Sequence, residues 1–332
     1  MEPELIADVA CVVGESPIWH PGEERVYWLD IPTGGVFRYD PATRTHERIL
    51  QGDVVGGLTV QADGGLLLFM TEGAIKLWHQ GKLTAVVDSV PDQSGFRFND
   101  VIADPKGRVF CGTMAYRKPS DGESRRAFQR VKAKLRDRFP KLRGLSRRLK
   151  PGNRPCGALY RLDPKGAPIK LLDGIALSNG MGFAPDRRRF YLTDSVKREI
   201  YVFDYDVDTG DLGNQRVFVR VPKGEGIPDG MTVDAAGFVW SARWDGGCVA
   251  RYAPDGSIDR VIRFPVKKVT SIAFGGPDYT DIYVTTAGGA DGQAAGPGAG
   301  GLFHLNLGIQ GMAEFPSRRW IPAPSTRENP SP

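Results

Sequence analysis

"PDGMTVDAAGFVWSARWDGGCVARYAPDGS", residues 228–257, contains three short runs of apolar, β-branched and aromatic residues, each bounded by a turn. Runs of four to six such residues between Gly, Pro, Asp and Ser read as short antiparallel strands. The stretch decides the fold because it recurs. Its turn and second strand, "DAAGFVWSAR" (234–243), reappear as "HPGEERVYWLD" (20–30), "ADGGLLLFM" (62–70), "DPKGRVFCGT" (104–113), "PDRRRFYLTD" (185–194) and "PDYTDIYVTT" (277–286). Each copy has a strand pattern before it and another after it. The copies are spaced by about 41 to 50 residues, apart from one gap near 80. Multi-stranded units repeating at this period are the signature of a β-propeller. Six copies therefore predict an all-β fold, a six-bladed β-propeller with four-stranded blades. The early run "ELIADVACVV" is expected to supply the outer strand of the last blade, which covers a free sheet edge.

The chain has 332 residues, 42 Gly and 25 Pro, and a net charge of +5. That charge is unevenly placed. Residues 117–155 hold 15 Lys/Arg against 3 Asp/Glu, leaving 29 against 36 in the rest. The segment falls between the second and third strands of blade three, in the long gap. Phe128, Val131, Leu135, Phe139, Leu142, Leu145 and Leu149 recur within it at three- and four-residue intervals, which predicts a basic, helical insertion. Three roles are open to it: a cap packed on the rim, a lid, or an element that meets an anionic surface such as membrane headgroups. Nucleic acid is the weakest partner, because its aromatic residues lie on the apolar stripe. The expected organisation is one propeller domain over 1–321, insertion included, and a disordered tail over 322–332. No run approaches the roughly 18 apolar residues of a membrane span, and the start lacks a basic-then-apolar leader, so a cytoplasmic protein is expected. Cys11, Cys111, Cys156 and Cys248 lie too far apart in sequence for a zinc-site pattern and read as reduced structural thiols.

In a propeller the innermost strands line a central channel, so equivalent positions converge at its mouth. Registered on their turns, the six copies place Glu15, Gly56, Asn99, Asn179, Asp229 and Ser271 in one slot. Asn, Asp and Gly are ordinary strand-start residues, but Glu has no turn preference. Acids and amides aimed at one point are costly unless a cation lies between them. An all-oxygen set without His or Cys suits one hard divalent ion, calcium first, with magnesium or manganese behind it. Asp30 and Asp194 end second strands at the same mouth and could support the slot from behind. His20, His46, His79 and His304 fall outside it, which argues against a histidine-based nucleophilic mechanism. "DYDVDTGDLGNQ" (204–215) looks like a helix-loop-helix calcium loop, but its glycine is one place late and its twelfth residue is Gln215; it reads as a hairpin turn. Second-to-third connections lie on the slot side, so the basic insertion should overhang it. The loop "AGGADGQAAGPGAGG" (287–301) should border it and be mobile.

"GESPIW", "FRFNDV", "LSNGMGFAPD", "YLTDS", "PDGMTVDAAGFVW", "TSIAFGGPD" and "IYVTTA" stand in this order, and as a set they resemble the regucalcin, or gluconolactonase, family of six-bladed propellers. The resemblance implies a divalent metal held by a Glu, an Asn and an Asp, which fall on Glu15, Asn179 and Asp229; zinc and iron join the metals that could load it. It also implies substrate contacts from Arg97 and Asn99. Animal members carry an acidic residue directly after "GTMA", where this chain has Tyr116 and Arg117. The implied function is metal-assisted opening of a lactone or related small ester, with Asp229 as the general base. The alternatives are a metal-stabilised binding propeller without catalysis, and a hydrolase of bulkier or organophosphorus esters.

Overall fold

The computed structural model describes residues 2–90, 93–116, 157–289 and 292–318. Their strands form six antiparallel sheets of four. In chain order the innermost strands of blades one to six are Gly14–His20, Val55–Val60, Phe96–Ala103, Ser178–Phe183, Ile227–Val233 and Val269–Gly275. Each contacts the innermost strands of both neighbouring blades, and the sixth meets the first, so the ring closes. Its closure is completed by Glu4–Ala7, which pairs with Leu302–Asn306 as the outer strand of blade six. Both the blade count and this seam agree with the repeat pattern. The predicted helical insertion and the disordered tail lie outside the described residues, as does Cys156. Cys11, Cys111 and Cys248 are buried free thiols.

Strand alternation accounts for the packing. Every strand of an inner sheet layer presents one face to each neighbouring blade, and the apolar side chains on those faces form six clusters, one in each gap between blades. Between blades five and six, Trp240 meets Phe274 edge to face at 5.6 Å; between two and three, Phe69 meets Phe98 in the same way at 5.4 Å. Aromatic pairs of this kind add about 0.5–1.5 kcal/mol each to the burial of their surface. The outer strands are exposed and charged, as in Thr45–Leu50 and Ile258–Arg263.

Two segments behave differently from their composition. The Gly/Ala-rich loop after blade six's second strand, expected to be mobile, is tied to the chain near Cys11. Gly288 N–H donates to Cys11 O (3.0 Å), Gly289 N–H to Val12 O (2.9 Å) and Cys11 N–H to Gly300 O (2.9 Å). Its glycines allow the close approach that these backbone bonds need. The residues after blade six, 307–318, were not read as structure at all. They run across the mouth of the channel opposite the slot: Gly311 N–H donates to Tyr279 O (2.8 Å), Ser317 N–H to Val60 O (2.9 Å) and Arg318 N–H to Gly107 O (2.9 Å). Phe315 of this strap packs against the clusters between blades two and three and blades three and four.

Candidate active site

Each innermost strand loses register with its second strand at the level of the predicted slot. The shifts fall between Glu15 and Ile18, Val55 and Gly57, Asn99 and Val101, Ser178 and Met181, Pro228 and Met231, and Val269 and Ser271. A bulge re-aims a side chain and sharpens the local twist. Six bulges at one level take five side chains and one glycine out of strict alternation around the channel mouth. Blade two contributes only backbone there. A Cβ on Gly56 would lie 1.8 Å from Phe98 O and 3.0 Å from Arg97 Nη1, so the glycine makes room for the strand that carries Arg97.

The predicted residues Glu15, Asn179, Asp229, Arg97 and Asn99 all line one cavity of about 340 Å³ at this mouth. Ile31, Met114, Val196 and Trp244, at or just beyond the ends of second strands, line it as well, which confirms that second-to-third connections lie on the slot side. Among the described residues no three His, Cys, Asp or Glu side chains cluster tightly enough to hold a metal by themselves; the candidate set is two carboxylates and a carboxamide. Asn179 is the pivot. Its Nδ2 donates to Asp229 Oδ1 and, at 3.1 Å, to Ser195 Oγ, while Ser195 Oγ donates to Pro228 O at 2.7 Å. With Nδ2 so fixed, Asn179 Oδ1 is buried with no hydrogen-bond partner. An orphaned acceptor of this kind costs about 1–3 kcal/mol unless something fills it. Glu15 accepts one bond from Ser16 N–H at 3.0 Å.

The electrostatics point the same way. Burial, then the neighbouring Asp229 and Asp100 carboxylates, push the Glu15 carboxyl well above its ordinary range. Burial and Asp100 do the same to Asp229, against the hydrogen bond from Asn179 and the charge of Arg97. Burial lowers Arg97 to about 10, opposed by Glu15 and Asp100. Two crowded, desolvated carboxylates beside an unpartnered carboxamide oxygen form a donor set that fits a hard divalent cation.

Asp100 was not foreseen. Burial pushes its carboxyl up to about 7, with Arg97 the opposing charge. Its φ of 29° at the bulge lies in the left-handed region, and it lines a smaller cavity in the channel below the slot. Plain alternation would aim it away from Asn99; the register slip is what brings it into the same electrostatic cluster. Ser195 was missed as well, although it closes the quoted "YLTDS". Asp30 and Asp194 hold the chain leading into the slot. Asp30 accepts from Val13 N–H at 2.9 Å, and Asp194 from Ala176 N–H at 3.1 Å. Asn99 donates to Ser178 O at 2.8 Å, linking blades three and four. His20 bonds Gly64 O and Glu23 N–H, and His304 bonds Asp281. Residues 206–211 form the turn of a β-hairpin.

A family model described as the SMP-30/Gluconolactonase/LRE-like region matches residues 13–288. The chain is 42% identical to the pentonolactonase XacC of Haloferax volcanii, over 94% of this chain and 97% of that one. It is 33% identical to regucalcin of Homo sapiens over the same shares. Its fold matches the crystal structure of a calcium-binding regucalcin from Agrobacterium tumefaciens with a TM-score of 0.79 and 25% identity, covering 96% of this chain and 98% of that one.

Proposed function

Because the chain belongs to the SMP-30/gluconolactonase/LRE-like family, we propose that it is a lactonase that opens a sugar lactone with the help of one divalent metal ion, calcium first among the candidates. The observation that carries the metal is the orphaned, buried Oδ1 of Asn179 beside the Glu15 and Asp229 carboxylates. Those three side chains would hold the ion, which when bound polarises the lactone carbonyl and offsets charge developing on its oxygen. Arg97 and Asn99 face the same cavity and would orient the ring oxygens. Asp229 takes the proton from the attacking water, standing beside the ion in the cavity that the lactone would enter. Ser195 and Asn179 keep the Asp229 carboxylate aimed into the cavity. The pentonolactonase relative supports a sugar lactone as the substrate class, and no helix among the described residues is long and apolar enough to cross a membrane.

The test is lactone hydrolysis across calcium, magnesium, manganese and zinc, paired with Asp229→Asn. The variant should lose about 10²–10⁴ in kcat while metal binding, followed by calorimetry, falls far less. A wild-type protein that opens no lactone with any of these metals, or an Asn variant of unchanged rate, overturns the reading.

A further inference from the structure

The cavity is chemically divided, and the division follows strand geometry. On four blades the residue two places before the deep one also lines the cavity, one level nearer the mouth. These companions are Val13 above Glu15, Arg97 above Asn99, Leu177 above Asn179 and Ile227 above Asp229, and all four line the cavity. The deep level is polar on every one of these blades. The level above it is aliphatic on blades one, four and five, and polar only at Arg97 on blade three. Nearer the mouth, the cavity wall continues as Ile31, Val196 and Trp244 on the same three blades, and Val196 is 51% exposed at the rim.

Trp244 stands directly across from Ile227 in the sheet, so the two side chains lie on one face. The Lys268 ammonium sits 5.2 Å from the indole ring centre and is held by Asp245 Oδ1 at 2.7 Å. A cation fixed over an aromatic ring attracts it and limits its rotation. The equivalent cross-strand pair on blade three is Arg97 with Met114. The site thus opposes one guanidinium with one braced aromatic surface.

We infer that Trp244 is a specificity-determining residue. It is the platform for the C–H face of a cyclic substrate, and the aliphatic collar of Val13, Leu177 and Ile227 rejects hydroxyl groups on the sides of blades one, four and five, while Arg97 admits them on blade three. This rests on the lactonase reading and narrows it to a compact ring, with its hydroxyls along one edge and no long polyhydroxylated side chain. A hydroxyl pressed against the collar loses its water and finds no partner, a penalty that a site can use to exclude it. The cavity volume of about 340 Å³ is small for such a ligand site.

The experiment measures KM and kcat of the full-length, metal-loaded protein and of Trp244→Ala, Trp244→Leu and Trp244→Phe, using a five-carbon 1,4-lactone and glucono-1,4-lactone, which has the same ring and a longer hydroxylated side chain. The wild type should favour the five-carbon lactone in kcat/KM by tenfold or more. Alanine and leucine should each raise its KM about tenfold with kcat changed less than threefold; phenylalanine should stay within threefold on both. Leucine keeps the bulk and removes the ring, so it answers the question if the alanine variant does not fold. KM values unchanged in the leucine variant, or a wild type that prefers the six-carbon lactone, overturn the inference and leave the lactonase reading standing. If the wild type opens neither of these lactones, the lactonase reading passes to the wider panel and binding of the uncleavable five-carbon lactam decides the inference. Tenfold weaker binding by Trp244→Leu supports the platform, and equal binding or none to the wild type ends it.

Discussion

At the scale of single residues, the site turns on what holds Asn179. Its amide nitrogen is committed to Ser195 and Asp229, which fixes which of its two polar atoms faces the orphaned position. Removing the serine hydroxyl frees the carboxamide to rotate and leaves Pro228 O without its donor. Ser195→Ala should therefore weaken divalent-metal affinity about 10–100-fold while the fold survives, measured by metal titration followed through calorimetry. The sequence made four of the slot residues legible because repeat register superposes them, and because Glu15 has no turn role to hide behind. Arg97 rested on resemblance alone. Ser195 and Asp100 escaped for different physical reasons. Ser195 stands one place beyond a strand end, where no alternation applies. Asp100 sits where alternation gives the wrong face, since only the bulge after Asn99 returns it to the cluster.

At the scale of elements, the innermost strands work as a set. Each breaks its pairing at the same level, and blade two gives up its side chain so that blade three can move in. Gly56→Ala would put a methyl 1.8 Å from Phe98 O, which no rotamer relieves because both atoms belong to backbone positions. We expect a loss of about 2–4 kcal/mol of stability, in the upper range for a single substitution, and a KM defect from the displacement of Arg97; thermal unfolding and steady-state kinetics measure the two. The repeat could reveal the slot but not the bulges, since the innermost strands are buried on both faces and a one-residue slip interrupts no visible alternation. The Gly/Ala-rich loop misled for a related reason. Composition reports the freedom of a chain, whereas its backbone bonds to the segment around Cys11 are made by groups every residue carries.

At the scale of the whole molecule, the blade count and the seam were legible because a closed ring must repeat and must cover its last edge. The strap over 307–318 was not, since a single-copy segment has no periodicity to betray it. It carries Glu314 to the wall of the channel cavity, and burial pushes that carboxyl up to about 7 from an ordinary 4.5. A folded-state value above the unfolded one means the wild type is relatively favoured below pH 4.5 and loses that advantage as pH rises through 7. Glu314→Gln should accordingly be more stable than the wild type by about 1–2 kcal/mol at pH 8, allowing for partial contact with water. The gap should vanish near pH 4.5, as read by denaturant unfolding at the two pH values. The strap has another consequence, for traffic. With one end of the bore barred by Phe315 and its neighbours, the described residues leave the reactant and the ring-opened acid one doorway, and neither can pass while the other stands in it. The acid should inhibit in strictly competitive fashion against the lactone, and initial rates at several fixed acid concentrations would reveal acid seated elsewhere in the bore, alongside the lactone, as a fall in maximal velocity.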